Sequence, residues 1–257
     1  MPAAPTLGLP SGIRAGLFDL DGVLTKTAKV HAAAWKEMFD DFLRSRATAT
    51  GGEFVPFDPV GDYKTYIDGR LRYDGVRTFL ASRGIELPEG DANDPPAAET
   101  VAGLGNRKNE LVLALIRSRG VETFPGAVQY VSAARDAGLH RAVVSASKNT
   151  REVLRATGID DLFEEVVDGV VAERDGLRGK PAPDTFLAAA DALGVAPAEA
   201  AVFEDALAGV EAGRAGGFGY VVGVDSSGQG DALRDHGADV VVPDLAALLE
   251  RTGKGRA

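Results

Sequence analysis

The sequence contains no cysteine, which excludes disulfides and thiolate metal sites but leaves either redox compartment open. No apolar run approaches the roughly 20 residues needed to cross a bilayer. The stretch from Met1 to Gly12 lacks a basic segment followed by an apolar one. It does not read as a signal peptide, and a cytoplasmic location is the expectation. Bases are outnumbered, with 28 Lys and Arg against 38 Asp and Glu, for a net charge of −10. That charge repels nucleic acid and anionic membrane, both of which bind through Lys and Arg placed on phosphates, so neither is an expected partner. It would equally repel a small anionic substrate unless a cation and a few local bases reverse the field at the site. Internal repeats are absent. Gly103-Leu-Gly105 lacks the third glycine and the preceding strand of a dinucleotide-binding loop. What remains is a chain of 257 residues, 45% hydrophobic and 26% charged, ordinary for a soluble globular protein with room for a core domain and a smaller one.

Arg14-Ala-Gly-Leu-Phe-Asp-Leu is a short apolar run that predicts a buried strand ending at Asp19. Helical spacing follows from Thr27 to about Arg46, carried by Val30, Ala33, Ala34, Met38 and Leu43. A Gly/Pro-punctuated loop is expected from Thr48 to about Pro59, and a second helix from Asp74 to Gly84. An acidic surface loop is expected from Pro88 to Pro96, then a helix from Glu99 to Arg119. Beyond Phe124, short β-rich runs (His140 to Val144, Val166 to Val167, Ala201 to Phe203, Tyr220 to Val224, Asp239 to Val242) alternate with Ala-rich helical stretches. That alternation predicts βαβ crossovers and a mostly parallel sheet. About a hundred helical residues separate the first strand from its sheet partners. The expected architecture is an α/β core, residues 1–26 and 121–257, interrupted by an inserted helical cap, residues 27–120. Residues 1–12 and 251–257 read as loose ends.

Four segments carry chemistry. In Asp19-Leu-Asp21-Gly22 two carboxylates lie two apart on extended backbone and share one side, at a strand end where α/β ligand crevices form. Their repulsion favours a bound cation or a held proton. Val143-Val-Ser145-Ala146-Ser147-Lys148-Asn149 ends a second strand with a hydroxyl and backbone N–H groups that can hold a phosphate oxygen. Gly179-Lys180-Pro181 sets one lysine in a rigid turn, and Val202-Phe203-Glu204-Asp205 closes a third strand with two acids. Each has a plain alternative: a chance Asp-x-Asp, a helix cap, a solvated lysine, an acidic helix start. Four such segments in this order, each at a strand end or in the following loop, point to one site.

In these motifs the chain resembles the haloacid dehalogenase superfamily of phosphotransferases, over nearly its whole length. The resemblance implies a Rossmann-like parallel-sheet core with an α-helical cap. It implies that Asp19 attacks phosphorus to form an aspartyl phosphate and that Asp21 is the general acid/base. Ser145 and Lys180 hold the phosphoryl oxygens, with Ala146, Ser147 and Asn149 on the substrate side. Asp19, the Asp21 carbonyl, Glu204 and Asp205 hold Mg²⁺, a hard cation suited to oxygen ligands. An intact Asp21 sets the chain apart from the dehalogenase and phosphonatase branches, which lack that acid.

The segment Thr25-Lys-Thr27-Ala-Lys-Val-His31-Ala-Ala-Ala-Trp35 is similar to the β-phosphoglucomutase group, where a Thr and a His at these offsets couple cap closure to the acid/base. Tyr66-Ile-Asp68-Gly69-Arg70-Leu71-Arg72 resembles the loop that grips a second, non-reacting phosphate, with Arg72 in the gripping role. Arg107-Lys108-Asn109 resembles a cap triplet that contacts sugar and phosphate. The resemblance therefore implies a monomeric enzyme acting on a phosphorylated sugar. It interconverts β-glucose 1-phosphate and glucose 6-phosphate or, as the alternative, hydrolyses a sugar phosphate. Three departures border the substrate: Arg46 to Val60 is longer and richer in Gly, Pro and Thr, Pro88 to Pro96 reads as inserted, and Lys26 stands where an acid is expected.

Overall fold

A computed structural model describes residues 7–225 and 228–250. The strands are β1 (Ala15–Phe18), β2 (His140–Val144), β3 (Glu165–Val167), β4 (Ala200–Glu204), β5 (Tyr220–Val224) and β6 (Val240–Val242). The α-helices are α1 (Ala28–Thr50), α2 (Arg72–Ser82), α3 (Val101–Arg119), α4 (Pro125–Asp136), α5 (Thr150–Thr157), α6 (Gly169–Asp175), α7 (Asp184–Ala192), α8 (Leu207–Ala215), α9 (Gly230–Asp235) and α10 (Ala246–Glu250). The fold is the α/β class expected. The chain divides into two compact units, one of them Thr27–Gly120 and the other made of the chain on either side of it.

The second unit holds one six-stranded sheet, ordered β3-β2-β1-β4-β5-β6, with every pairing parallel. β1 and β4 are buried along their whole length, which is why they read as continuous apolar runs and not as alternating ones. One face, with Ala15, Leu17, Ala142, Val144 and Val202, packs against Phe186, Ala189 and Ala190 of α7. On the other, the Phe18 and Phe203 rings stack at 4.3 Å across the β1–β4 pair, and both lie beside Tyr130 of α4. Phe18 is level with both Val143 and Phe203. This register sets the next residue of β1, Asp19, beside the end of β4.

Chain leaving this unit at Lys26 runs next to chain returning at Glu122. The Lys26 N–H donates to Glu122 O at 2.8 Å, the Phe124 N–H to Leu24 O at 3.0 Å, and Lys26 Nζ pairs with Glu122 at 2.9 Å. The lysine at the position of an expected acid is thus matched by an acid on the returning segment.

In the unit Thr27–Gly120, helix α1 buries Ala34, Trp35, Met38, Phe39, Phe42 and Leu43. Ala34, Met38 and Leu43 are buried as expected, whereas Val30 is half-buried and Ala33 is exposed. Phe39 packs against Trp35, Phe57 and Phe79 with ring centroids 4.1 to 5.3 Å apart. Helix α1 also runs one turn past the expected end. Thr48 and Thr50 direct their hydroxyls back to the Arg44 and Arg46 carbonyls, and the left-handed Gly51 stops it. A short π-helical turn over Tyr63–Ile67 precedes α2, which begins at Arg72 instead of Asp74.

The loop 88–96 is pinned. Glu89 takes a bidentate pair from Arg77, and Thr100, the N-cap of α3, donates to Asp94 at 2.6 Å. Residues 7–12 are not the loose end expected of them throughout, because Leu7 O accepts from Tyr130 Oη at 2.9 Å. The expectations for residues 1–6 and 251–257 lie outside the described residues. Among the described residues no helix is long and apolar enough to cross a membrane.

Candidate active site

The central strands β2, β1 and β4 end side by side, and the candidate residues of the sheet unit stand at those ends. Asp19 follows β1, Ser145 follows β2, and Glu204 closes β4. Lys180 arrives from the turn before α7 and is almost fully buried at 4% exposure. Its ammonium donates to Asp19 Oδ1 at 2.6 Å, to Glu204 Oε1 at 2.5 Å and to Val144 O at 3.2 Å. Three acceptors for three N–H bonds fix it in place. Glu204 is completely buried, and its second oxygen accepts from the Ala206 N–H at 2.8 Å.

Burial pushes the Asp19 carboxyl well above its ordinary range. The Lys180 charge opposes the rise, while the Glu204 and Asp21 charges add to it. Burial alone would lower the Lys180 pKa. The two carboxylates outweigh burial and hold it above the ordinary lysine value, so the group stays an ammonium. A cation bound by Asp19 would reverse the remaining penalty on its carboxylate.

Asp21 forms a bridge with Thr25, and the next residue's N–H, that of Gly22, donates to Thr25 O at 2.8 Å. Gly22 has φ +95°, and a Cβ there would lie 1.9 Å from Asp205 Oδ2. A side chain at position 22 would therefore displace Asp205 from the Asp19–Asp21 loop. The oxygens of Asp19, the Asp21 carbonyl, Glu204 and Asp205 are the hard donors a Mg²⁺ ion takes. Asp205 against Gly22 leaves just such a cradle, so the residues fit the ion. Among the described residues no three His, Asp or Glu side chains gather into a metal-holding group, so the fit rests on the Asp21 carbonyl and on Asp205 beside Gly22. Both Glu204 oxygens are already engaged, which makes it first an anchor for Lys180. Gly22→Ala is expected to weaken Mg²⁺ binding at least tenfold by calorimetry, through strain at φ +95° and collision with Asp205.

Ser145 is buried, and its Oγ accepts from the Ser147 N–H at 3.1 Å. Ser147 Oγ accepts from the Asn149 N–H at 3.2 Å, and its carbonyl takes the Thr150 hydroxyl at 2.9 Å. These bonds fix the turn Ser145-Ala146-Ser147 before α5, whose N-cap residue Asn149 makes no side-chain capping bond, so the turn is not a plain helix cap.

The remaining candidates lie in the unit Thr27–Gly120. Thr27 is buried immediately before α1, and its carbonyl accepts from the His31 N–H at 2.9 Å. Lys108 Nζ lies 3.0 Å from His31 Nδ1 and 4.8 Å above the Trp35 ring. Arg72 Nη2 donates to Asn109 Oδ1 at 2.8 Å. Gly69 adopts φ +72° in the loop before α2. The pairings His31–Lys108 and Arg72–Asn109 link residues the sequence motifs treated separately. Sequence reasoning passed over Tyr73 and Asn106, although Asn106 and Asn109 lie one turn apart on α3.

A buried Asp–Lys–Glu cluster at the ends of the central strands of a parallel sheet stands where an α/β enzyme places its active site. The family model of haloacid dehalogenase-like hydrolase matches residues 13–217, and the chain belongs to that family. Within it the chain is β-phosphoglucomutase-like. It is 58% identical to a β-phosphoglucomutase of Mycobacterium tuberculosis over 246 residues, 95% of this chain and 94% of the relative. It is 32% identical to the β-phosphoglucomutase of Bacillus subtilis, covering 92% of each. A crystal structure of β-phosphoglucomutase from Clostridium difficile matches it with a TM-score of 0.72 at 26% identity, over 92% of this chain and 93% of that one.

Proposed function

We propose that this enzyme interconverts β-glucose 1-phosphate and glucose 6-phosphate through a phosphorylated Asp19. The observation that carries the chemistry is the buried Lys180 held between Asp19 and Glu204. It fixes one Asp19 oxygen, leaves the other to attack, and keeps a positive charge where phosphoryl negative charge grows. Asp19, the Asp21 carbonyl, Glu204 and Asp205 would hold Mg²⁺, which would neutralise charge between the anionic nucleophile and the anionic phosphate.

In one half-reaction a free Asp19 oxygen forms a bond to one phosphorus of the bisphosphorylated sugar as the bond from that phosphorus to the sugar oxygen breaks, leaving a sugar monophosphate and phosphorylated Asp19. Asp21 gives its proton to the departing sugar oxygen. In the other, the free hydroxyl of a sugar monophosphate gives its proton to Asp21 and takes the phosphoryl group from Asp19, which re-forms the bisphosphorylated sugar. Ser145, with the backbone of Ala146 and Ser147 and the side chain of Asn149, holds the non-reacting phosphoryl oxygens. Such a mutase must hold a bisphosphorylated sugar in either orientation. Arg72, aimed by Asn109 and backed by the Gly69 turn, grips the phosphate that is not reacting, as a planar guanidinium suits. Thr27, His31, Trp35 and Lys108 sense the sugar and its acid/base partner. We further propose that the enzyme is monomeric and cytoplasmic.

Arg72→Ala is expected to lower mutase kcat/KM by about 100-fold or more, the loss of a charge-assisted clamp. Hydrolysis of a small aryl phosphate, which has no second phosphate, should fall far less. Equal losses would remove the assignment. Incubation with β-glucose 1-phosphate, Mg²⁺ and a trace of the bisphosphate should give glucose 6-phosphate. Free phosphate and glucose as the main products would instead identify a sugar-phosphate phosphatase.

A further inference from the structure

Helix α3 presents Gly105, Asn106 and Asn109 to the start of α2. A Cβ at Gly105 would lie 2.7 Å from the Tyr73 ring and 3.2 Å from Arg72 Cδ, so the missing side chain lets the two residues seat against α3. Asn109 then bonds Arg72 at 2.8 Å, and Asn106 Oδ1 accepts from Tyr73 Oη at 3.1 Å. The Asn106 amide nitrogen donates in the opposite direction, to Ala92 O at 3.0 Å and Asp94 O at 2.9 Å. Two carbonyls facing one amide fix which end carries the nitrogen, because only that end can donate. The loop that reads as an insertion is tied further by Val101 N–H to Pro88 O at 2.9 Å and by Ala102 N–H to Glu89 O at 3.0 Å. One asparagine thus connects loop 88–96 to the residue next to Arg72 in sequence.

We infer that Asn106 and Tyr73 are positioning residues that set the angle of Arg72, so that the loop 88–96 tunes how this enzyme holds the non-reacting phosphate. Asn106 does not touch the substrate. It acts by holding the Tyr73 hydroxyl, and through it the first turn of α2, in one register on α3. A clamp aimed by two neighbouring contacts loses less entropy on closing over a phosphate than one free to swing. The inference rests on the assignment of Arg72 to that phosphate.

The test compares Asn106→Ala, Tyr73→Phe and Arg72→Ala on β-glucose 1-phosphate with the bisphosphate, and on a small aryl phosphate. Removing one neutral hydrogen bond or a short network is expected to raise KM for the bisphosphate about threefold to tenfold. Turnover of the aryl phosphate by Asn106→Ala and Tyr73→Phe should stay within about twofold of the parent. That split distinguishes positioning from a general loss of structure, which lowers both activities together. Tyr73→Phe keeps the ring against Gly105, so it remains informative where Asn106→Ala folds poorly. If Arg72→Ala separates the two substrates and Tyr73→Phe leaves the bisphosphate KM unchanged, the inference is overturned and the Arg72 assignment stands. If Arg72→Ala itself fails to separate them, the assignment falls and the inference with it.

Discussion

Replacing Asp19 by Ala or Asn is expected to lower turnover by about 10⁵-fold or more, the scale seen when a covalent nucleophile is removed. The position offers no substitute. Asp19 is buried, stands at the end of the central strand, and is the residue to which Lys180 is anchored. Asp21 lies two residues further on, past the end of β1, where its backbone bridges to Thr25. Glu204 has one oxygen on Lys180 and the other on the Ala206 N–H. Asp19→Asn retains the shape, removes the charge and leaves a weak nucleophile, so the loss belongs to chemistry and not to folding. A circular dichroism melt close to that of the parent, together with the lost turnover, would establish this. Residual turnover above about one per cent would remove the covalent mechanism.

The second large effect is on stability. Lys180→Met removes the cation paired with two carboxylates that are at most 6% exposed. Breaking a buried ion pair from one side costs about 3–5 kcal/mol, mostly because the charge left behind has no partner. The variant is therefore expected to unfold at markedly lower urea concentration and to be inactive. The sign of its pH dependence follows from the direction of the carboxyl shift. Burial already raises Asp19, and loss of Lys180 raises it further. A carboxyl raised in the folded state is tolerated when protonated and loses stability as pH climbs through its folded pKa. The deficit of Lys180→Met should thus be smaller at about pH 5 than at about pH 8. Adding Glu204→Gln should recover part of the stability and none of the activity. A double variant no more stable than Lys180→Met would show that the cluster does not act as one electrostatic unit.

The sheet was readable because its signals are local. His140–Val144 and Tyr220–Val224 stand where the apolar runs predict them, and the acids that follow β1 and close β4 sit at strand ends, where chain direction alone decides the geometry. What stayed hidden depends on distant partners. On α1, Trp35, Phe39 and Phe42 join the expected Ala34, Met38 and Leu43 on the buried face, and Ala33 is left out, because Phe57 and Phe79 provide a surface to bury against. No window of sequence contains both. The contacts of His31 with Lys108 and of Arg72 with Asn109 span 77 and 37 residues, so the motifs named the residues without naming the pairs. Asn106 was invisible for the same reason, since its three partners come from α2 and from the loop 88–96. The resemblance names Glu204 only among the Mg²⁺ ligands. Its deep burial, which makes it the counter-charge of Lys180, is a property of the packed sheet.

The central claim is that the phosphoryl group rests on Asp19 between the two half-reactions. The most direct measurement mixes the enzyme with β-glucose 1,6-bisphosphate carrying ³²P, quenches in acid within the first turnover, and maps the label by peptide digestion. The expected result is label on the peptide containing Asp19, released by hydroxylamine as an acyl phosphate is, and absent in Asp19→Asn. Label on another residue, or none while glucose phosphates still interconvert, would contradict the account.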